Sequence, residues 1–365
     1  MKICTIVGAR PQFIKAAPVS RSLQAAVLHE VLIHTGQHYD FNMSEIFFRQ
    51  LQIREPDYNL GIAAGSHGAQ TGQMLIKIEE VLLAEKPDLV LVYGDTNSTL
   101  AGAVAAVKLR IPIGHVEAGE RSYNRAMPEE HNRVLTDHVS DLLFCATDRA
   151  VQNLAKEGIA RGVSCVGDVM YDAWLLFVPL AAQAPILDQL GLEAQGYYVA
   201  TVHRPANTDV PQNLAGILEA LAQLSAPVVF PVHPRTHKQF AQYGLNPSAN
   251  VRLVDPVGYL EMLALIKHSR AVLTDSGGIQ REAYFSEVPC VTIRSEAEFM
   301  DTVTSGWNTL SEPNHAAIAA ALMKPRPSGT PPAIFGNGTA AQQIVAAMKR
   351  GTPVRQAELD QIERI

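Results

Sequence analysis

Leu89-Val90-Leu91-Val92-Tyr93 runs without a polar residue straight into Gly94-Asp95-Thr96-Asn97-Ser98-Thr99. A strand of five residues that is apolar on both faces belongs to a parallel sheet covered by helices on both sides. The same grammar recurs along the first half, in Ile3–Val7, Val31–His34, Ile113–Val116, Leu142–Cys145 and Ser164–Val166. It recurs again in Tyr198–Val202, Val228–Val232, Val251–Val254, Ala271–Thr274 and Cys290–Ile293. Each run ends at or near a Gly, Asp or His and is followed by a helical pattern. Alternation of this kind predicts doubly wound α/β sheets.

Two such series imply two Rossmann-like domains with parallel sheets, facing a cleft. A chain of 365 residues suits two domains of about 150–200 residues each. The first is expected over 1–168 and the second over 169–349, with the junction near 168–195, where Pro179 and Pro185 break the rhythm. Ala340–Lys349 reads as a helix that crosses back to the first domain, and a C-terminal helix at about 350–365 is expected to join that domain too.

Apolar residues make up 47% and charged residues 18%, enough for two cores and unlike a disordered chain. The net charge of −6 argues against a nucleic-acid binder. No apolar stretch reaches the roughly 18 residues of a membrane helix, and Met1–Val7 reads as a strand instead of a signal peptide. Cys4, Cys145, Cys165 and Cys290 lack CxxC spacing, so buried, reduced thiols and a cytoplasmic location are expected.

In open parallel sheets, ligands bind beyond the carboxyl ends of the strands. The first strand feeds Gly8-Ala9-Arg10-Pro11-Gln12-Phe13-Ile14-Lys15, where a helix N-terminus with Arg10 and Lys15 suits an anion. The segment is not GxGxxG, so a nicotinamide cofactor gains no support. Asp95 is dispensable as a cap, since Thr96 and Ser98 can cap equally well. Glu117, immediately beyond a buried strand, is costly to place without a purpose. Pro128-Glu129-Glu130 is also an ordinary helix start, and Glu130 reads as structural.

In the second half, His203-Arg204 and His233-Pro234-Arg235 end two strands at equivalent places, which points to anion contacts. A metal held by His233 and His237 is the weaker rival: no carboxylate completes a motif, and Pro234 disfavours a regular helix there. Thr274-Asp275-Ser276-Gly277-Gly278-Ile279-Gln280-Arg281-Glu282 is the most specific segment. Ser276 can cap, Gly277 and Gly278 expose amides to a diphosphate, and Glu282 can accept from a ribose diol.

Together these residues resemble the non-hydrolysing UDP-N-acetylglucosamine 2-epimerase family, which has the GT-B glycosyltransferase-like fold. The match includes Gly8–Lys15 with Pro18, Thr35-Gly36-Gln37-His38, Gly94–Thr99, His115–Gly119 and Pro128–Arg133. It continues through Val166-Gly167-Asp168, His203-Arg204, His233-Pro234 and Asp275–Glu282. The resemblance implies that Arg10, His203, Ser276 and Gly277 hold a diphosphate and Glu282 a ribose. It places Lys15, Asp95, Glu117 and Glu129 around the sugar, with Arg133 as a partner for these acids. The implied reaction inverts carbon 2 of UDP-N-acetylglucosamine through loss and re-addition of UDP. Asp95, Glu117, Glu129 and His203 are then the catalytic candidates, in a homodimer that needs no cofactor and no metal. The short segment 121–127 and Glu298-Phe299-Met300-Asp301 look like the branch acting on UDP-2,3-diacetamido-2,3-dideoxyglucuronate. A GT-B glycosyltransferase and a UDP-sugar-binding protein without activity are the rival readings.

Overall fold

The computed structural model describes residues 1–36, 51, 53–62, 65–294 and 299–351. Gln37, His38, Glu298 and the segment 352–365, where a terminal helix was expected, lie outside the described residues. The chain divides into two units. One comprises Met1–Leu175 with the described residues from Ala333 on; the other comprises Leu176–Pro332. The first boundary falls inside a continuous helix, Val169–Ala181, which contains Pro179 in its last turn. That proline therefore interrupts no element.

Among the described residues, the first unit holds seven strands: β1 (Lys2–Val7), β2 (His29–His34), β3 (Tyr58–Asn59), β4 (Leu89–Tyr93), β5 (Ile113–Val116), β6 (Leu142–Cys145) and β7 (Val163–Cys165). Their order is β3-β2-β1-β4-β5-β6-β7, parallel throughout. The second unit holds β8 (Tyr198–Thr201), β9 (Val228–Pro231), β10 (Val251–Val254), β11 (Val272–Thr274), β12 (Cys290–Ile293) and β13 (Asn308–Ser311). Their order is β10-β9-β8-β11-β12-β13, again all parallel. Each sheet reverses its winding direction once, between β1 and β4 and between β8 and β11. Those reversals open a crevice at the carboxyl ends of the strands.

Burial explains the strands. Cys4, Ile6, Ile33, Val90 and Val92 form one core with Met74 and Ile78 of helix His67–Glu85 and Ala101 and Ala105 of helix Asn97–Lys108. The small residues of that second helix bring it close to the sheet: a Cβ on Gly102 would lie 2.7 Å from Ile6 Cδ1. In the second unit, Ala200, Phe230, Leu273 and Val291 pack with Leu214, Ile217 and Leu221 of helix Pro211–Ala222. Helix Ala340–Arg350 returns to the first unit, where Asp172 accepts from the Ala340 and Ala341 amides and Lys349 reaches the Ala26 carbonyl.

Two expectations need correction. Cys165 is exposed, because β7 is an edge strand; Cys4, Cys145 and Cys290 are buried. Pro234 does not prevent a helix but begins one, Pro234–Tyr243, at the first position, where its missing N–H costs nothing. Among the described residues, no helix is long and apolar enough to cross a membrane.

The turn after β1 is built around glycine. A Cβ on Gly8 would lie 2.1 Å from Thr35 Oγ1 and 2.2 Å from Ser98 Oγ, two hydroxyls bonded to each other at 2.8 Å. Gly8→Ala should therefore cost about 1–3 kcal/mol of stability. Thermal melts would show this as a clear loss, whereas an unchanged melting temperature would contradict the packing described.

Candidate active site

In the first unit, the polar residues gather at the ends of β1, β4 and β5. Gln12 fastens the first two ends together. Its Oε1 accepts from the Gly8 and Ala9 amides at 2.8 and 2.9 Å, and its Nε2 donates to the Tyr93 carbonyl at 2.8 Å and to Thr99 Oγ1 at 3.0 Å. Arg10 is half-buried at the first position of helix Arg10–Ala25. Lys15, on the second turn of that helix, donates to Glu117 Oε2 at 2.8 Å, with side chains only 6% and 9% exposed. Such a pair is hard to break, because either partner alone would be an uncompensated charge.

Glu117 has φ +70°, a left-handed conformation rarely adopted by a side chain of this size. Its amide and that of Ala118 both donate to the Phe144 carbonyl, at 3.0 and 3.1 Å, which holds the turn in place. Beside it Gly94 is also left-handed, at φ +63°, and a Cβ there would lie 3.1 Å from Lys15 Nζ.

Thr96 caps helix Asn97–Lys108, with a reciprocal bond from Thr99, so Asp95 is free for another task. It accepts from Arg133 Nη2 at 2.5 Å, while Arg133 Nη1 donates to Glu130 at 2.9 Å. Glu130 also accepts from the Ser122 amide and hydroxyl and from the Tyr123 amide, all at 2.8–2.9 Å. Burial raises the Glu130 carboxyl, but these donors and Arg133 outweigh burial and hold it below the ordinary range. Glu130 thus anchors the 121–127 loop. Glu129 is half-buried and has no hydrogen bond or ion pair among the described residues. Arg133 therefore serves Asp95 and Glu130 and not Glu129, since the first turn of helix Pro128–Val139 points the two glutamates about 100° apart.

In the second unit, the β8 and β11 ends are joined by a residue to which sequence reading gave no role. Asp275 is fully buried and accepts from the His203 and Arg204 amides at 3.0 and 2.9 Å, from Asn207 Nδ2 at 3.0 Å, and from His203 Nδ1 at 3.0 Å. Its only sequence signal was a carboxylate at the end of an apolar run. The His203 and His233 rings lie 6.0 Å apart. His233 is the N-cap of helix Pro234–Tyr243, its Nδ1 accepting from the Arg235 amide at 3.2 Å. Ser276 is the N-cap of helix Gly277–Phe285 and accepts from the Ile279 amide at 3.4 Å. The Gly277 and Gly278 amides lie in its first turn, where no intrahelical acceptor exists and an anion is favoured. Glu282 is buried in the same helix. Among the described residues, no three His, Cys, Asp or Glu side chains are grouped to hold a metal ion.

The UDP-N-acetylglucosamine 2-epimerase family model matches residues 21–349. The chain belongs to that family. It is an isomerase of the UDP-N-acetylglucosamine 2-epimerase type. The UDP-2,3-diacetamido-2,3-dideoxy-D-glucuronate 2-epimerase of Pseudomonas aeruginosa is 55% identical over 85% of this chain and 88% of its own. The crystal structure of Methanocaldococcus jannaschii UDP-GlcNAc 2-epimerase, in complex with UDP-GlcNAc and UDP, is 42% identical. It covers 96% of this chain and 100% of its own, with TM-score 0.89. The calicheamicin glycosyltransferase CalG4, 13% identical over 100% of this chain and 97% of its own with TM-score 0.53, shares the GT-B fold alone.

Burial raises the Asp275 carboxyl, yet His203, Asn207 and the Arg204 amide together hold it below its usual range. Its stabilising contribution is complete above the unfolded value of about 3.9 and is lost as pH falls through the lower folded value. Asp275→Asn should cost at least ~2 kcal/mol at neutral pH, because several donors lose a charged acceptor. The gap between the two melting temperatures should shrink on acidification below about pH 4. A gap that stays constant to the lowest attainable pH would rule out this assignment.

Proposed function

We propose that this epimerase is non-hydrolysing and inverts carbon 2 of a UDP-2-acetamidohexose by anti-elimination of UDP to a glycal, followed by re-addition. UDP-N-acetylglucosamine and UDP-N-acetylmannosamine are the pair of the first reading. The 55% identity to the diacetamido-glucuronate enzyme and the short 121–127 loop favour UDP-2,3-diacetamido-2,3-dideoxyglucuronate as a second.

The observation that carries the proposal is the set of three carboxylates in three environments. Glu117 faces buried Lys15, Asp95 shares Arg133 with Glu130, and half-buried Glu129 has no ion pair among the described residues. The hydrogen on carbon 2 is not adjacent to a carbonyl, so direct deprotonation is very hard. Departure of UDP from carbon 1 makes its removal feasible. Inversion then needs a proton taken from one sugar face and another returned to the opposite face. Carboxyl groups in unlike surroundings can divide those tasks.

The leaving diphosphate needs donors that exist before the reaction begins. Arg10, His203, His233 and the Ser276-Gly277-Gly278 turn fit that role, and one such donor can be worth several kcal/mol. Glu282, in the helix that begins at this turn, fits the ribose diol. Lys15 holds Glu117 in place and Arg133 holds Asp95.

Asp95→Asn, Glu117→Gln and Glu129→Gln should each lose about 10²–10⁴ in turnover. UDP affinity, measured by calorimetry, should change far less, because these acids serve the sugar. Glu130→Gln should show itself in melting temperature more than in turnover. Near-normal turnover in all three acid variants, assayed with both UDP-sugars, would sink the acid–base scheme.

A further inference from the structure

His115 lies inside β5 with no exposed surface. Its two ring nitrogens face two oxygens: Nδ1 is 2.7 Å from Asp137 Oδ1, and Nε2 is 2.8 Å from the Gly94 carbonyl. A backbone carbonyl has no hydrogen to give. Asp137 is ionised, since its other oxygen takes Arg121 Nη1 at 2.7 Å and the Gly119 amide at 3.1 Å. The ring makes both bonds only as a donor at both nitrogens, with a proton on each.

The surrounding charges permit this. Arg121 also donates to Glu157 through Nε and Nη2, both at 2.8 Å. Imidazolium and Arg121 stand against Asp137 and Glu157, and Glu120, buried next to Arg121, adds a further carboxylate to the group. The Cys145 thiol on neighbouring β6 is pushed up first by burial and then by Asp137, and adds no charge. Lys15 and Glu117 neutralise each other two residues further along, and Arg133 stands between Asp95 and Glu130.

We propose that His115, carrying both ring protons, is the positioning residue of the acid cluster. This rests on the epimerase reading above. One ring ties three elements that each carry a candidate acid. Its Nε2 holds the Gly94 carbonyl, whose carbon is bonded to the Asp95 nitrogen, while the Gly94 amide is held by the Val116 carbonyl at 3.0 Å. Its own strand delivers Glu117 two residues later. Its Nδ1 grips Asp137 on helix Pro128–Val139, which carries Glu129 and Arg133. Loss of the ring frees the three acids to shift relative to one another, and a displacement of about 1 Å can cost 10²-fold in rate.

Neutron diffraction from deuterated crystals of the full chain reads the ring directly. Deuterium on both nitrogens is expected; a bare nitrogen would overturn the proposal. Kinetics supply a second readout. In His115→Gln the amide nitrogen can replace Nε2 and keep the Gly94 bond; in His115→Asn it can replace only Nδ1. His115→Asn should lose about 10²-fold in kcat, His115→Gln clearly less, and both should keep the parent UDP affinity and nearly the parent KM. Equal losses in the two variants, or losses confined to KM, would refute a positioning role. A parent enzyme inactive on both UDP-sugars would sink the functional reading instead, and the neutron result would still report the ring.

Discussion

The turn at Gly94 is left-handed and closely faced by Lys15, and the first unit's site is arranged around that constraint. A Cβ there would lie 3.1 Å from Lys15 Nζ and 3.9 Å from Glu117 Oε1, on a backbone already left-handed at φ +63°. Because Gly94 leaves this space open, Lys15 can cross from helix Arg10–Ala25 to Glu117. Glu117 in turn accepts a left-handed backbone, at φ +70°, that its side chain disfavours. Strain of this kind persists only where the surroundings fix it, here through the two amides bonded to the Phe144 carbonyl. All of this sits at the β1/β4 reversal, where a doubly wound sheet opens.

The second unit reaches an equivalent arrangement with different chemistry. Asp275, at the end of β11, gathers the turn that follows β8, so a buried carboxylate organises the strand ends where the first unit uses the Gln12 amide. The outcome is a histidine pair and a glycine-bearing helix N-terminus, both suited to an anion. The first sheet thus joins its two central strand ends through the Gln12 amide, and the second through the Asp275 carboxylate. The acids lie in the first unit, and most of the groups proposed for the diphosphate lie in the second.

Much of the fold was legible because most of the strands are short, largely apolar runs. Leu89–Tyr93, Ile113–Val116, Leu142–Cys145, Val251–Val254 and Cys290–Ile293 have the ends that hydropathy alone assigns. Tyr58–Asn59 escaped because two residues carry no period. Asn308–Ser311 escaped because it is polar: buried Asn308 is satisfied by Gln280 and Thr292, partners that no local pattern reveals. In the site, the availability of Asp95 could be read from its neighbours, since Thr96 does cap the helix. The choice of Glu130 over Glu129 as the second partner of Arg133 could not, because it depends on how the 121–127 loop closes on that helix. Asp275 stayed silent for the same reason: its donors lie about seventy residues away, brought near only by β8–β11 pairing.

The central claim is chemical: a proton leaves carbon 2 on one face and another returns on the opposite face. Incubation with UDP-N-acetylglucosamine, and separately with the diacetamido-uronate, in deuterated water followed by NMR tests it most directly. The account predicts deuterium at carbon 2 in both product and recovered substrate, for whichever sugar is turned over. Product that retains its original hydrogen in full would contradict it.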